Sequence, residues 1–230
     1  MHFKQEIFMK ETQLNIVSAV EQRALFYNVS AGYLVVKRIF DFAAALAGLI
    51  LLSPLLAAIA FAIKFDSPGP IFFSQKRNGF KGKVFNMYKF RSMVPDAEQR
   101  LKELENKNEV SGPMFKIKED PRITKVGRII RKTSMDELPQ LFNVLAGDMS
   151  IVGPRPPIVR EVQKYDPWHS LRLSVKPGLT GLWQISGRNA VGFEEMIRLD
   201  LKYIRERSFR YDLKIILKTI PVLLGDSKAF

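Results

Sequence analysis

Phe42 through Ile63 is a run of 22 residues without a charge, inside KRIFDFAAALAGLILLSPLLAAIAFAIKF at 37–65. That run limits the fold more than any other feature. At 1.5 Å per residue, a straight helix of this size measures roughly 33 Å, enough to cross the hydrocarbon core of a bilayer. The core of a secretory signal is shorter and nearer the start of a chain. A helix buried in a soluble domain is the bland alternative, and apolarity on every side argues against it. Ser53-Pro54 falls at mid-length. Proline lacks an N–H donor and crowds the preceding turn, and Ser53 is placed to re-satisfy a freed carbonyl. A kinked spanning helix and a helix that enters and leaves by one face both fit. Lys37 and Arg38 before the run and Lys64 after it put positive charge at both ends, which suits the re-entrant form.

A chain of 230 residues can bury a sizeable core, and its net charge of +13 asks for an anionic partner. Phosphorylated small molecules, an acidic lipid surface and nucleic acid all qualify; the long apolar run argues against nucleic acid. The excess is not gathered in a tail, although seven basic residues face two acids from Lys116 to Lys132. The absence of cysteine excludes disulfides, thiolate nucleophiles and thiolate metal sites. His2 and His169 are too few for a His-rich zinc centre.

Residues 1–36 read as an interfacial extension with some amphipathic character in QLNIVSAVEQRALFYNV. After the apolar run, Pro68-Gly69-Pro70 stops the helix. Ile71–Phe73 and Val84–Phe85 are strand candidates, with Asn78-Gly79 a turn between them. Helical patterns follow at 96–107 and 193–207. Tyr211 to Leu224 is apolar with scattered charges, suited to the core or to an interface. No repeat or long linker divides the chain. The expectation is an α/β fold, mostly helical with short strands, in which residues 37–65 form the membrane helix and 66–230 one globular domain.

TSMDELPQLFNVLAGDMSIVGPRPP, at 133–157, carries the candidate chemistry. Asp136 and Glu137 are adjacent acids in a basic chain. Ser134 with Glu137, or Thr133 with Asp136, fits a capping box, and acids are favoured in a first helical turn. That structural reading competes with a catalytic one. A carboxylate near a helix start is expected to be held ionised, with a lowered pKa, as a nucleophile should be. Its neighbour, about 100° away around a helix, is then free to hold a metal ion.

The surroundings suit a diphosphate. Magnesium prefers carboxylate and phosphate oxygens and takes few protein ligands, while arginine forks onto phosphoryl oxygens. Arg155 stands in the proline-braced GPRPP loop; Arg122, Arg128 and Arg131 precede the acids, and Arg188 lies in SGRN. Asp148 is a second candidate for the ion, with capping of the Gly147 turn as the equal alternative. No GxGxxG or Walker-type phosphate loop is present.

Taken in order, KRIFD, Ser53-Pro54, SPGPIFFSQKRNG, FNMYKFRSM, DPRITKVGRIIRKTSMDELPQLFNVLAGDMSIVGPRPP and KPGLTGLWQISGR span Lys37 to the C-terminal part of the chain. This set resembles the bacterial sugar transferases, the monotopic polyprenyl-phosphate phosphoglycosyl transferases. The resemblance implies a re-entrant membrane helix broken at Ser53-Pro54 and a catalytic domain on the cytoplasmic face of the bacterial inner membrane. It implies transfer of a sugar-1-phosphate from a UDP-sugar, UDP-glucose or UDP-galactose favoured, to undecaprenyl phosphate with release of UMP. By the same likeness Asp136 is the nucleophile of a covalent phosphosugar intermediate and Glu137 helps to bind Mg2+. Gln184 and Arg188, in a segment typical of larger members, are candidates for the sugar or nucleotide region, while Trp183 in the same segment suits a structural role better than a place at the ligand. Larger members carry several preceding transmembrane helices; the 36 residues before Lys37 suggest a catalytic core with a short extension.

Two other readings remain at this level. A non-catalytic membrane scaffold would use Asp136 and Glu137 only as caps. A single-step transferase would bind donor and acceptor together without an adduct. Phospholipid is the surrounding partner in any of these, and the Phe-rich membrane surface suits self-association into a homo-oligomer.

Overall fold

The computed structural model describes residues 29–104, 117, 120–187 and 191–223. The expected interfacial character of residues 1–28, the last turn of the helix expected at 96–107, and Arg188 lie outside the described residues. Helix α1 spans Ala31–Leu51 and opens on Ser30, whose hydroxyl accepts from the Tyr33 N–H at 3.2 Å. Helix α2 spans Ser53–Asp66. The two meet at the proline with a bend of 61°. Pro54 cannot donate to the carbonyl four residues back, which belongs to Ile50. The Ser53 hydroxyl donates to that carbonyl at 2.8 Å instead, so the bend leaves it satisfied. No single helix among the described residues is long and apolar enough to cross a membrane; α1 and α2 meet that length and composition only together.

The pair is no buried soluble helix. Ile50, Leu51, Phe61 and Phe65 are all well exposed, Phe65 at 87%. Its inner side is fastened to the domain by polar contacts at several levels. Arg38 donates to the Val144 and Leu145 carbonyls at 2.8 and 2.9 Å. Asp41 accepts from the Ile151 N–H at 2.9 Å, and Asp66 accepts from Val126 N–H at 3.0 Å. Arg91 donates to the Ser67 and Pro68 carbonyls at the exit of α2.

Strands β1 (Phe72–Asn78) and β2 (Val84–Phe90) pair antiparallel, with Arg77 opposite Phe85 and Phe73 opposite Lys89. Both run longer than the sequence pattern suggested. The free edge of β2 is closed by one side chain: Asn143 accepts from Tyr88 N–H at 3.0 Å and donates to the Asn86 carbonyl at 2.7 Å. Helix α3 (Ala97–Leu104) follows, then α4 (Lys125–Lys132), a 3-10 turn at Met135–Glu137 and α5 (Gln140–Ala146). Strand β3 (Ser150–Val152) pairs in parallel with β4 (Gly178–Thr180). Short helices α6 (Val159–Val162) and α7 (Pro167–Ser170) lie between them. After β4 come α8 (Leu182–Ile185), α9 (Phe193–Glu206) and α10 (Phe209–Leu223). The fold is therefore mostly helical with short strands, as the sequence led us to expect.

Apolar packing is divided among three clusters. Ala45, Phe85, Met87, Leu141, Val144 and Met149 join α1, β2 and α5. Ile59, Ile63, Phe90 and Ile130 join α2, β2 and α4. Val152, Leu171, Tyr203, Ile204 and Ile215 join β3 to α9 and α10. Met135 and Leu138 pack on the second cluster while Leu141 and Val144 belong to the first. The acid-bearing turn is thus pinned on both sides by buried side chains.

Candidate active site

The chain enters the turn through Ser134, whose φ of 54° lies in the left-handed region. A non-glycine residue there costs about 1–2 kcal/mol, and such positions recur where a site needs a fixed side-chain direction. The capping reading fails at this point. Ser134 makes no side-chain cap, and the Thr133 hydroxyl instead turns back to donate to the Ile129 carbonyl at 2.9 Å. Asp136 and Glu137 sit in a tight 3-10 turn rather than at the start of an α-helix, so the field of a long helix does not act on them.

The expectation of a lowered Asp136 pKa is also corrected. Its carboxyl is 7% exposed, and burial pushes it up to about 6. The Lys89 and Arg131 charges pull it down and Glu137 pushes it up, but desolvation prevails. Lys89 Nζ lies 2.5 Å from Glu137 Oε1, which makes the second acid half of an ion pair. Lys89 was missed in the sequence, although a signal was there. Phe85 and Met87 point into the core, and Lys89 is the next residue of that inward row on β2. An inward lysine in such a row invites a functional explanation.

Each candidate arginine has a distinct position. Arg122 is buried and grips Asp120 through Nε and Nη2, at 2.9 and 2.6 Å, while Nη1 donates to the Ala97 carbonyl at 3.2 Å. Its role is to close the DPR loop, and it does not project a free guanidinium. Arg128 and Arg131 are exposed on α4, and Arg131 is close enough to Asp136 to lower its pKa. Asp148 follows the Gly147 turn at the far end of α5, about 10 Å of helix from the acids. Its backbone N–H donates to the Asn143 carbonyl at 3.0 Å, and its charge acts on Lys176.

Arg155 is held in an unusual way. Four consecutive carbonyls of its loop accept from four residues in three separate parts of the chain. Pro154 takes Gly178 N–H at 2.9 Å, Arg155 takes Arg172 Nη2 at 2.9 Å, Pro156 takes Arg77 Nη1 at 3.0 Å, and Pro157 takes Asn78 N–H at 3.0 Å. Its guanidinium lies 5.9 Å from the centre of the Trp183 ring, in cation–π range. Arg172 in turn is fully buried, with Asp200 at 2.5 Å and the Tyr165 hydroxyl at 2.8 Å. Burial raises the Asp200 carboxyl and the Arg172 charge opposes it, leaving the pKa at about 6, so the pair is ionic at neutral pH.

Arg77 is a second residue that the sequence did not single out. It is 4% exposed, and burial followed by the nearby Arg155 charge lowers its pKa to about 9, still cationic at neutral pH. Its Nε–H meets no acceptor. In α8 the Trp183 indole N–H and the Gln184 side-chain oxygen are likewise buried without partners. Together these groups offer two cations and spare donors and an acceptor, as a phosphorylated, hydroxyl-rich ligand requires.

No cluster of three or more metal-ligating side chains occurs among the described residues. Magnesium does not need one, because one or two carboxylates plus substrate phosphate oxygens suffice. Glu137 could supply such a carboxylate, and Asp148, at the other end of α5, does not join it.

The profile of the bacterial sugar transferase family matches residues 32–226. The chain is 50% identical over 208 residues to the galactosyl transferase CpsE of Streptococcus agalactiae, covering 90% of this chain and 46% of that protein. It is 44% identical over 192 residues to the UDP-glucose:undecaprenyl-phosphate glucose-1-phosphate transferase of Escherichia coli, covering 80% and 39%. The chain thus spans less than half the length of these two relatives. With the exopolysaccharide production protein ExoY of Sinorhizobium fredii it shares 42% over 191 residues, covering 81% of this chain and 84% of that one. On this match, carried by nearly the whole described fold, the chain belongs to the bacterial sugar transferase family.

Proposed function

We propose that this chain transfers a hexose-1-phosphate, from UDP-galactose or UDP-glucose, to undecaprenyl phosphate at the cytoplasmic face of a bacterial inner membrane. The observation that carries this reading is the buried Asp136 carboxyl beside the Lys89–Glu137 pair. In the first step an Asp136 oxygen attacks the sugar-linked phosphorus, the bond from that phosphorus to the bridging oxygen breaks, and UMP leaves. In the second, a phosphate oxygen of the lipid attacks the same phosphorus, and the Asp136 carboxylate departs with its electron pair. A carboxylate with a pKa near 6 is mostly ionised at neutral pH, and its poor solvation favours attack.

Lys89 holds Glu137 in place and offsets negative charge gathered at the turn. Arg155 and Arg77 bind phosphoryl oxygens, with Arg131 and Arg128 at the exposed side of the site. Trp183 and Gln184 face the sugar or nucleotide. When bound, Mg2+ supplies charge neutralisation on the diphosphate, with Glu137 as its main protein ligand. The bent α1–α2 pair lies in the bilayer as a re-entrant hairpin, surrounded by phospholipid, and brings the turn to headgroup level. Such a reaction begins the membrane stage of a polysaccharide.

Incubation with UDP-galactose or UDP-glucose and Mg2+, without lipid acceptor, tests the covalent route. A mass increase of one phosphohexose and a stoichiometric burst of UMP are expected. Turnover only with acceptor present, and no adduct, would establish single-step transfer instead. The raised pKa adds a second expectation. Protonation silences the nucleophile, so kcat/KM for donor should fall about tenfold per pH unit below about 6. An acid limb near the ordinary aspartate value would show that burial does not set the reacting group's pKa.

A further inference from the structure

Helix α10 presents three sectors around its axis. Asp212 and Ile215 are buried against the domain. Phe209, Leu213, Leu217 and Ile220 are exposed large apolar residues at spacings of four, four and three. Arg210, Lys214 and Lys218 are exposed and lie one residue further along, each four apart. At about 100° per residue the apolar row covers roughly 80° of the helix surface and the basic row the next 80°. A helix that only closed a soluble core would have no use for the apolar row.

The location of α10 restricts what can cover that row. Phe209 packs edge-on against Phe40 of α1, with ring centres 5.4 Å apart. Asp212 accepts from Lys37 Nζ and from the Tyr33 hydroxyl, both at 2.9 Å. Helix α10 therefore lies beside the entrance of the hairpin, before the uncharged run begins at Phe42. In a bilayer this is the level of the phosphates.

We infer that the outer face of α10 is a docking surface for anionic phospholipid, with Leu213 and Leu217 in the acyl boundary and Lys214 and Lys218 on lipid phosphates. The inference rests on the bilayer placement proposed above and extends it to a second, separate contact. Charge selects lipid over a second copy of the chain. In a two-fold contact through this face the basic row would meet its own repeat, whereas an acidic leaflet attracts each such residue.

Because the chain has no cysteine, single labels are unambiguous. Leu217→Cys and, as a hairpin reference, Phe61→Cys would each carry a polarity-sensitive fluorophore. The protein would be placed in nanodiscs of phosphatidylcholine, alone or mixed with phosphatidylglycerol. The label at 217 should be shielded from acrylamide several-fold more in the mixed lipid. Combining Arg210→Gln, Lys214→Gln and Lys218→Gln should remove that difference while leaving the label at 61 shielded. A label at 217 that stays open to acrylamide in both lipids, with 61 shielded, would overturn the docking surface and leave the hairpin placement standing. Exposure of both labels would overturn the hairpin placement itself. Shielding at 217 that depends on protein concentration in detergent, with a doubled particle mass, would assign the face to a second copy and also overturn the inference.

Discussion

Asp136→Asn is expected to lower hexose-1-phosphate transfer on the order of 10⁴-fold, remove the covalent adduct and raise the melting temperature of the protein. Loss of a nucleophile from a working unit commonly has an effect of this size. The stability gain follows from burial. The folded-state pKa, about 6, lies above the ordinary 3.8, so proton binding favours the fold. The corresponding stability is present in full below about 3.8 and lost as the pH rises through about 6. At neutral pH the ionised carboxylate therefore costs the fold on the order of 2–3 kcal/mol, which the amide does not. Adduct mass, UMP release and a thermal melt on the same preparation check all three. Retained turnover would remove Asp136 from the reaction. A lower melting temperature would return it to a structural role.

The second large effect is expected at a residue remote from the chemistry. Arg172→Met strands the Asp200 carboxyl in the core, where it either takes up a proton or stays charged without a partner, and a broken buried pair typically costs about 3–5 kcal/mol. It also frees the Arg155 carbonyl and the Tyr165 hydroxyl. Adding Asp200→Leu removes the stranded carboxyl, so the double variant should melt close to wild type. Its transfer activity should nevertheless stay low, with a raised KM for the UDP-sugar, because the loop carrying Arg155 has lost one of its four anchors. Recovery of both stability and KM would show that Arg172 acts on the fold alone.

What could be read in the sequence depended on how far apart the interacting residues lie. The break at Ser53-Pro54 was legible because the cause and the remedy are neighbours: a missing N–H at Pro54 and a hydroxyl at Ser53. The helix at 193–207 and the acid pair were local signals too, whereas the turn expected at Asn78-Gly79 falls at Phe80–Gly82, with Asn78 still paired in β1. The Asp136 environment was not. Whether acids at a turn are capped or buried depends on backbone dihedrals, and Ser134 in the left-handed region changed the answer. Arg122 looked like a phosphate ligand, yet Asp120, two residues away in DPR, was a partner already in view. Arg77 and Arg172 gave no such warning, because they reach carbonyls 79 and 17 residues away. The family resemblance was carried by ordered motifs, which state that these segments meet without saying which side chain supports which.

The four anchored carbonyls of the GPRPP loop have a consequence for recombination. Their partners come from residues 77, 78, 172 and 178, on both sides of the loop in sequence. A chimera that joins two relatives anywhere between 79 and 171 must therefore rebuild the anchorage from two parents. Exchange of donor preference by segment grafting should succeed when residues 72–200 travel as one cassette, and crossovers inside it should yield proteins that fold with a wandering arginine.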